Sequence, residues 1–137
     1  MRNIRPYQQK DRDRVTFLWN TAFFSKSGNS DSHIIAKHVR LYVVEENAVV
    51  LGVIGYKQLM RNIAMIGPFV IDKKYRNQGL GSALLKYLLR KLAKLGFRYI
   101  ILFTKNVVDS SAIKLYIKFG FKIIDTTTEW VALSKEV

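Results

Sequence analysis

Val70-Ile71-Asp72-Lys73-Lys74-Tyr75-Arg76-Asn77-Gln78-Gly79-Leu80-Gly81-Ser82-Ala83-Leu84-Leu85 is the stretch on which the fold turns. An apolar run stops at Ile71, a basic turn bearing two glycines follows, and apolar residues then recur at helical spacing. This pattern predicts strand, loop and helix in succession. The helix begins at Leu80, buries Leu80, Leu84, Tyr87, Leu88, the stem of Lys91, Leu92 and Leu95, and turns Lys86, Arg90 and Lys94 to water. Gly96 ends it.

A helix start carries backbone N–H groups without intrahelical acceptors at the positive end of the macrodipole, so it holds an anion readily. Gly79 and Gly81 leave room beside those amides, either can take a positive φ, and Lys73, Lys74 and Arg76 add charge. A glycine pair alone also fits a plain tight turn. The spacing matches neither a dinucleotide fingerprint, which needs a third glycine, nor a P-loop, which needs Gly-Lys-Ser/Thr. Arg76-Asn77-Gln78-Gly79-Leu80-Gly81 does resemble the acetyl-CoA loop Gln/Arg-x-x-Gly-x-Gly/Ala of the GNAT family of N-acetyltransferases. The approach Gly67-Pro68-Phe69-Val70-Ile71-Asp72-Lys73-Lys74-Tyr75-Arg76 resembles the family's Gly-Pro-Leu-x-Val-x-Pro-Glu-Tyr-Arg segment, with Lys73 in place of the usual proline. The resemblance implies acetyl-CoA as cosubstrate. Phe69, Val70 and Ile71 would meet its pantetheine through backbone groups, and Arg76, Asn77, Gln78, Gly79, Leu80, Gly81 and Ser82 would surround its pyrophosphate.

The 137 residues suit one domain, 1–137, and 49% hydrophobic content is enough for a core. No apolar run is long enough to span a bilayer and no leader pattern opens the chain, so a cytoplasmic protein without membrane contact is expected. Cysteine is absent and there are only two histidines, His33 and His38, which excludes disulfides, thiolate zinc sites and a cysteine nucleophile, and leaves no metal expected. The net charge of +13 is uneven: between residues 72 and 105 nine lysines and arginines stand against Asp72 alone. Such a collar suits the phosphates of CoA. It also fits a solvated helix face or general affinity for nucleic acid, although nucleic acid is not the expected partner.

Taken in order, Asn3 to Tyr7 reads as a short strand that Pro6 confines to an edge. Gln8 to Phe24 reads as an amphipathic helix burying Val15, Leu18, Trp19, Ala22 and Phe23, started by Asp11 or Asp13. A polar loop, Ser25 to Ser30, and a short helix, Asp31 to Val39, follow. Leu41 to Glu45 and Val49 to Met60 form a hairpin around Glu46-Asn47, with Gly52 and Gly55 marking a bulge or a close backbone approach. Ile63 to Ile71 is a strand that Pro68 must interrupt with a bulge, and the resemblance implies that it splays there from the next strand. Arg98 to Thr104 is a buried strand, Ser110 to Phe119 a helix capped by Asp109 and broken at Gly120, and the chain closes with strands near Phe121 to Asp125 and Thr128 to Leu133. The fold class is α+β (mixed α/β), a GNAT-like domain whose mostly antiparallel twisted sheet of about six or seven strands has helices on both faces.

Ala112-Ile113-Lys114-Leu115-Tyr116-Ile117-Lys118-Phe119-Gly120-Phe121 resembles the family's later motif, Asn-x-x-Ala-x-x-Leu-Tyr-x-x-x-Gly-Phe, with Asp109 in place of the Asn. Asp109 therefore stands at a cofactor position but cannot donate as an amide does. Helical spacing alone fits Tyr116 as a core residue. The resemblance makes it the general acid that serves the departing CoA thiolate, while an amine attacks the thioester directly in a ternary complex. Glu45, Glu46 and Asp72, or a water chain, are the candidate bases, each carboxylate also readable as plainly solvated, and His33 and His38 receive no role. The acceptor is a small-molecule or peptide amine. Residues 10 to 40 carry a surplus of three positive charges, which disfavours polyamines and aminoglycosides and favours an amino acid or a peptide terminus. The reading leaves a homodimer open. Its alternatives are a non-catalytic CoA-binding sensor and a basic nucleic-acid-binding module.

Overall fold

The computed structural model describes residues 1–23, with the side chain of Phe23 excepted, and residues 38–137. The polar loop expected over Ser25 to Ser30 and the helix expected over Asp31 to Val39 lie outside the described residues as far as residue 37, and the end of that helix is corrected, since Val39 opens a strand. Three antiparallel strands, β1 (Arg2–Pro6), β2 (Val39–Glu46) and β3 (Val49–Met60), begin the sheet. β1 lies at the edge, which is where Pro6 can spare its missing donor. Asn47 and Ala48 join β2 to β3 with φ of 51° and 65°, the left-handed pair that a two-residue hairpin needs to match strand twist.

β4 (Ile63–Ile71) pairs with β3, and its register slips between Ile54 and Tyr56, where the two residues Gly67 and Pro68 face the single Gly55. This is the expected bulge at Pro68. Gly55 permits it by close approach, since a Cβ there would stand 2.9 Å from the Arg40 carbonyl and 3.2 Å from that of Gly67. After α2 (Leu80–Lys94), β5 (Tyr99–Lys105) runs parallel to β4, and α3 (Ser111–Lys118), β6 (Lys122–Thr126) and β7 (Trp130–Glu136) complete the chain. The sheet order is β1-β2-β3-β4-β5-β7-β6, so the last strand inserts between β5 and β6.

Side-chain alternation assigns the two cores. Leu41 and Val43 on β2 face α1 (Arg12–Phe23), where Val15 and Leu18 meet Val50, Val53 and Val70. Tyr42 and Val44 point to the opposite face, the larger core under α2 and α3. The expected stripe on α2 is corrected at two places. Leu85 and Leu89 are buried as well, because α2 sits in the middle of a wide sheet, while Leu95 is 57% exposed because the helix has already ended at Lys94. Gly96, at φ 93°, closes α2 with bonds from its own N–H to the Ala93 carbonyl and from Phe97 N–H to Leu92, burying Phe97 against the same core.

Candidate active site

β4 and β5 pair only over Ile63–Met65 and Tyr99–Ile101. Beyond that point β4 keeps β3 on one side and parts from β5 on the other, and a cavity of about 430 Å³ opens toward the helices. Phe69, Val70 and Ile71 line it from β4, Tyr75, Arg76, Asn77 and Gly79 from the loop, Leu80, Gly81 and Ser82 from the start of α2, and Ser111, Ala112, Leu115 and Tyr116 from α3. Ala22 adds a contact from α1.

The loop is shaped by local hydrogen bonding. Asp72 accepts from Lys74 N–H at 2.9 Å and starts a short 3₁₀ turn, Lys73–Tyr75. Asn77 and Gly79, at φ of 63° and 81°, then swing the chain into α2. The first helical bond runs from Ala83 N–H to Gly79, so the amides of Leu80, Gly81 and Ser82 have no helical acceptor, and no acid occupies that turn. Gly81 does not take a positive φ, contrary to the freedom allowed it from sequence; a Cβ there would point between Leu115 and Phe69 at 3.7 Å from each, an ordinary contact on the cavity wall. Three arginines brace the loop. Arg76 Nε donates to the Ile71 carbonyl at 3.4 Å, Arg14 bridges the Val50 carbonyl at 2.9 Å and the Asp72 carboxylate, and Arg2 donates to the Gln78 side chain and carbonyl.

Two residues of the expected cofactor set stand away from the cavity. Gln78 faces Arg2 instead, and Asp109 is exposed at φ 56°. Nor does Asp109 cap α3: Ser110 Oγ accepts from Ile113 N–H at 3.2 Å and takes that place, because its extended backbone sets the hydroxyl over the first turn. Tyr75, Ser111, Ala112 and Leu115 were not in the expected set. The Ala112, Leu115 and Tyr116 spacing, i, i+3, i+4, was the signal that places two of them on one helix face with Tyr116.

Tyr116 is fixed by the end of its helix. Gly120, at φ 93°, donates to the Ile117 carbonyl at 2.9 Å, and Phe121 N–H donates to Tyr116 at 3.0 Å. This Schellman arrangement packs Phe121 on Tyr116, ring centroids 5.8 Å apart, while Phe69 approaches from β4 at 6.2 Å. Burial among these rings pushes the phenol up to about 12.

None of the three candidate bases lines the cavity. Glu45 meets Arg5 at 3.0 Å, and that hydrogen bond holds its carboxyl below the usual range. Glu46 pairs with Arg2 at 3.3 Å. Burial pushes Asp72 up, but the Lys74 amide and Arg14 outweigh it and keep the carboxyl low. A carboxylate so held is a poor proton acceptor at neutral pH. Among the described residues no cluster of three or more His, Asp or Glu could hold a metal, and no helix is long and apolar enough to cross a membrane.

The sequence pattern of the Acetyltransferase (GNAT) family matches residues 4–121. No curated protein matches the chain in sequence. Among solved structures it is similar to the ribosomal-protein-S18-alanine N-acetyltransferase from Escherichia coli, with 20% identity over 99% of this chain and 94% of that one and a TM-score of 0.85. A GNAT family acetyltransferase from Elizabethkingia anophelis with acetyl-CoA bound is 18% identical over 99% and 98% of the two chains, TM-score 0.77. An aminoglycoside 6'-N-acetyltransferase complexed with coenzyme A is 15% identical over 98% and 96%, TM-score 0.84.

Proposed function

The chain belongs to the acetyltransferase (GNAT) family, and from that premise we propose that it transfers an acetyl group from acetyl-CoA to a primary amine by direct attack within a ternary complex. The observation that carries this reading is the cavity between the parted strands, with unpartnered helix amides at its mouth and a buried phenol on its wall. The amides of Leu80, Gly81 and Ser82 and the Arg76 side chain receive the pyrophosphate, and β4 from Phe69 to Ile71 guides the pantetheine. The amine nitrogen forms a bond to the thioester carbonyl carbon, the C–S bond breaks, and the thiolate takes the proton of Tyr116. Burial keeps Tyr116 protonated until the thiolate forms beside it, and the phenolate left behind regains a proton from water. Water carries off the amine's proton, since Glu45, Glu46 and Asp72 are each held by an arginine outside the cavity.

The acceptor is proposed as an amine on a neutral or acidic molecule, an amino acid or a peptide terminus, because residues 10 to 40 carry a surplus of three positive charges. Thiol release from acetyl-CoA across a panel of amines tests both levels. Turnover with any primary amine supports the transferase; binding of acetyl-CoA with no thiol release from any amine would instead identify a CoA-binding sensor. A panel led by spermidine or an aminoglycoside would overturn the acceptor class alone.

A further inference from the structure

A second cleft, of about 550 Å³, lies at the other end of the sheet. His38, Arg40, Tyr56, Lys57, Gln58 and Arg61 are on its wall, contributed by the start of β2, the end of β3 and the turn into β4. The cofactor loop leaves β4 at Ile71, eight residues beyond Ile63, which is about 26 Å at strand rise. The two sites are therefore separate.

Its charge is unneutralised. Among the described residues Arg2, Arg5, Arg14 and Arg98 are paired with carboxylates, whereas Arg40, Lys57 and Arg61 have no acidic partner. Arg40, in register with Tyr56, turns to the α2 face and Lys57, in register with Val39, to the other, so the cations flank the cleft at the sheet end and leave it a positive field that a bound anion would offset. The basic surface also continues beyond the cleft. Lys91 lies 5.5 Å from the Tyr42 ring, two residues along β2 from Arg40; further round α2, Lys86, Arg90 and Lys94 are exposed at four-residue steps, about 6 Å apart along the axis. A small anion would use only the cleft. An extended polyanion uses the whole track, and Tyr56 and Gln58 offer a base an aromatic edge and an amide beside the cations. α2 has already buried its apolar stripe in the core, and the cleft wall exposes only Leu59 and Met60 as large aliphatic side chains, a smaller apolar surface than an interfacial helix inserts into lipid.

We propose that this cleft and the adjoining face of α2 bind the phosphate backbone of a single-stranded nucleic acid, independently of acetyl-CoA. The test measures binding of a short fluorescent single-stranded RNA of mixed sequence by anisotropy over a range of salt. It uses the wild type, the triple variant Arg40→Gln/Lys57→Gln/Arg61→Gln, and a control of equal charge, Lys114→Gln/Lys118→Gln/Lys122→Gln. Acetyl-CoA affinity, read by calorimetry, verifies that each variant is folded. The expected result is that the cleft variant lowers the slope of log affinity against log salt by about two, as three lost phosphate contacts on a single strand require, and that the control changes it by much less. Equal loss in both triples would reduce the effect to bulk charge and overturn the site. Failure of the wild type to bind the RNA at physiological salt, or equal binding of polyglutamate, would overturn the assignment to nucleic acid.

Discussion

Tyr116 and Gly81 both line the one cavity and answer to different tests. Tyr116→Phe keeps the ring that packs on Phe69 and Phe121 and removes only the proton donor, so stability and acetyl-CoA affinity should hold while kcat falls by about a hundredfold or more. The pH profile adds a sign. A phenol pushed up to about 12 stays protonated across the working range, so wild-type kcat should show no downward limb below about pH 10. A Phe variant of full activity, or a limb near 9 that persists unchanged in that variant, would remove Tyr116 from the chemistry. For Gly81→Val the expectation reverses. The backbone there is helical and its Cβ would find ordinary contacts, so the variant should fold, but the added methyls enter the space beside the helix amides. Acetyl-CoA affinity should drop by at least about tenfold, equivalent to roughly 1.4 kcal/mol. Calorimetry checks it, and wild-type affinity in a folded variant would mean that phosphate does not lie at this turn.

At the scale of elements, α3 matters through its end more than its middle. The left-handed Gly120 and the Phe121 bond back to Tyr116 set how the helix is seated, so Gly120→Ala, forced to φ 93°, should cost about 1 kcal/mol in urea unfolding and also lower kcat by misplacing Tyr116. The alanine methyl would also meet Lys135 Nζ, a flexible end that can move aside. Unchanged unfolding and unchanged kcat would show that the cap positions nothing. This end was legible in the sequence because Gly-Phe after an apolar helix leaves few alternatives, as was the strand, loop and helix through Gly79. The N-terminus of α3 was not. Asp109 and Ser110 are both good caps, and only the backbone, left-handed at the first and extended at the second, decides between them. Sheet order escaped for a related reason. Local pattern shows that β6 and β7 exist, but insertion of β7 beside β5 depends on pairing between residues such as Leu102 and Leu133, thirty-one apart, which no local periodicity records.

The molecule as a whole is fastened at its first edge by one arginine. Arg5 on β1 donates to both oxygens of Asp11 at 2.8 and 2.9 Å and to Glu45 on β2, so it joins the edge strand to the turn that starts α1 and to the neighbouring strand. Asp11, only 4% exposed, also accepts from the Gln8 amide, which explains why an acid noted as a helix starter is buried. The Arg5 hydrogen bond is the largest influence on both carboxyls and lowers each, so the stabilisation is fully present above their ordinary values near 4 and is lost as the pH falls through the lowered ones. Arg5→Met keeps much of the packing and strands Asp11. It should cost about 2 to 3 kcal/mol near neutrality, less than breaking a fully buried pair because the guanidinium retains some water. On acidification the wild type should lose stability faster than the variant, whose carboxyls have no arginine to forfeit, and the two urea midpoints should converge below about pH 4. A gap that stayed constant from neutral to acid pH would assign the cost of the substitution to lost packing and not to the ion pair.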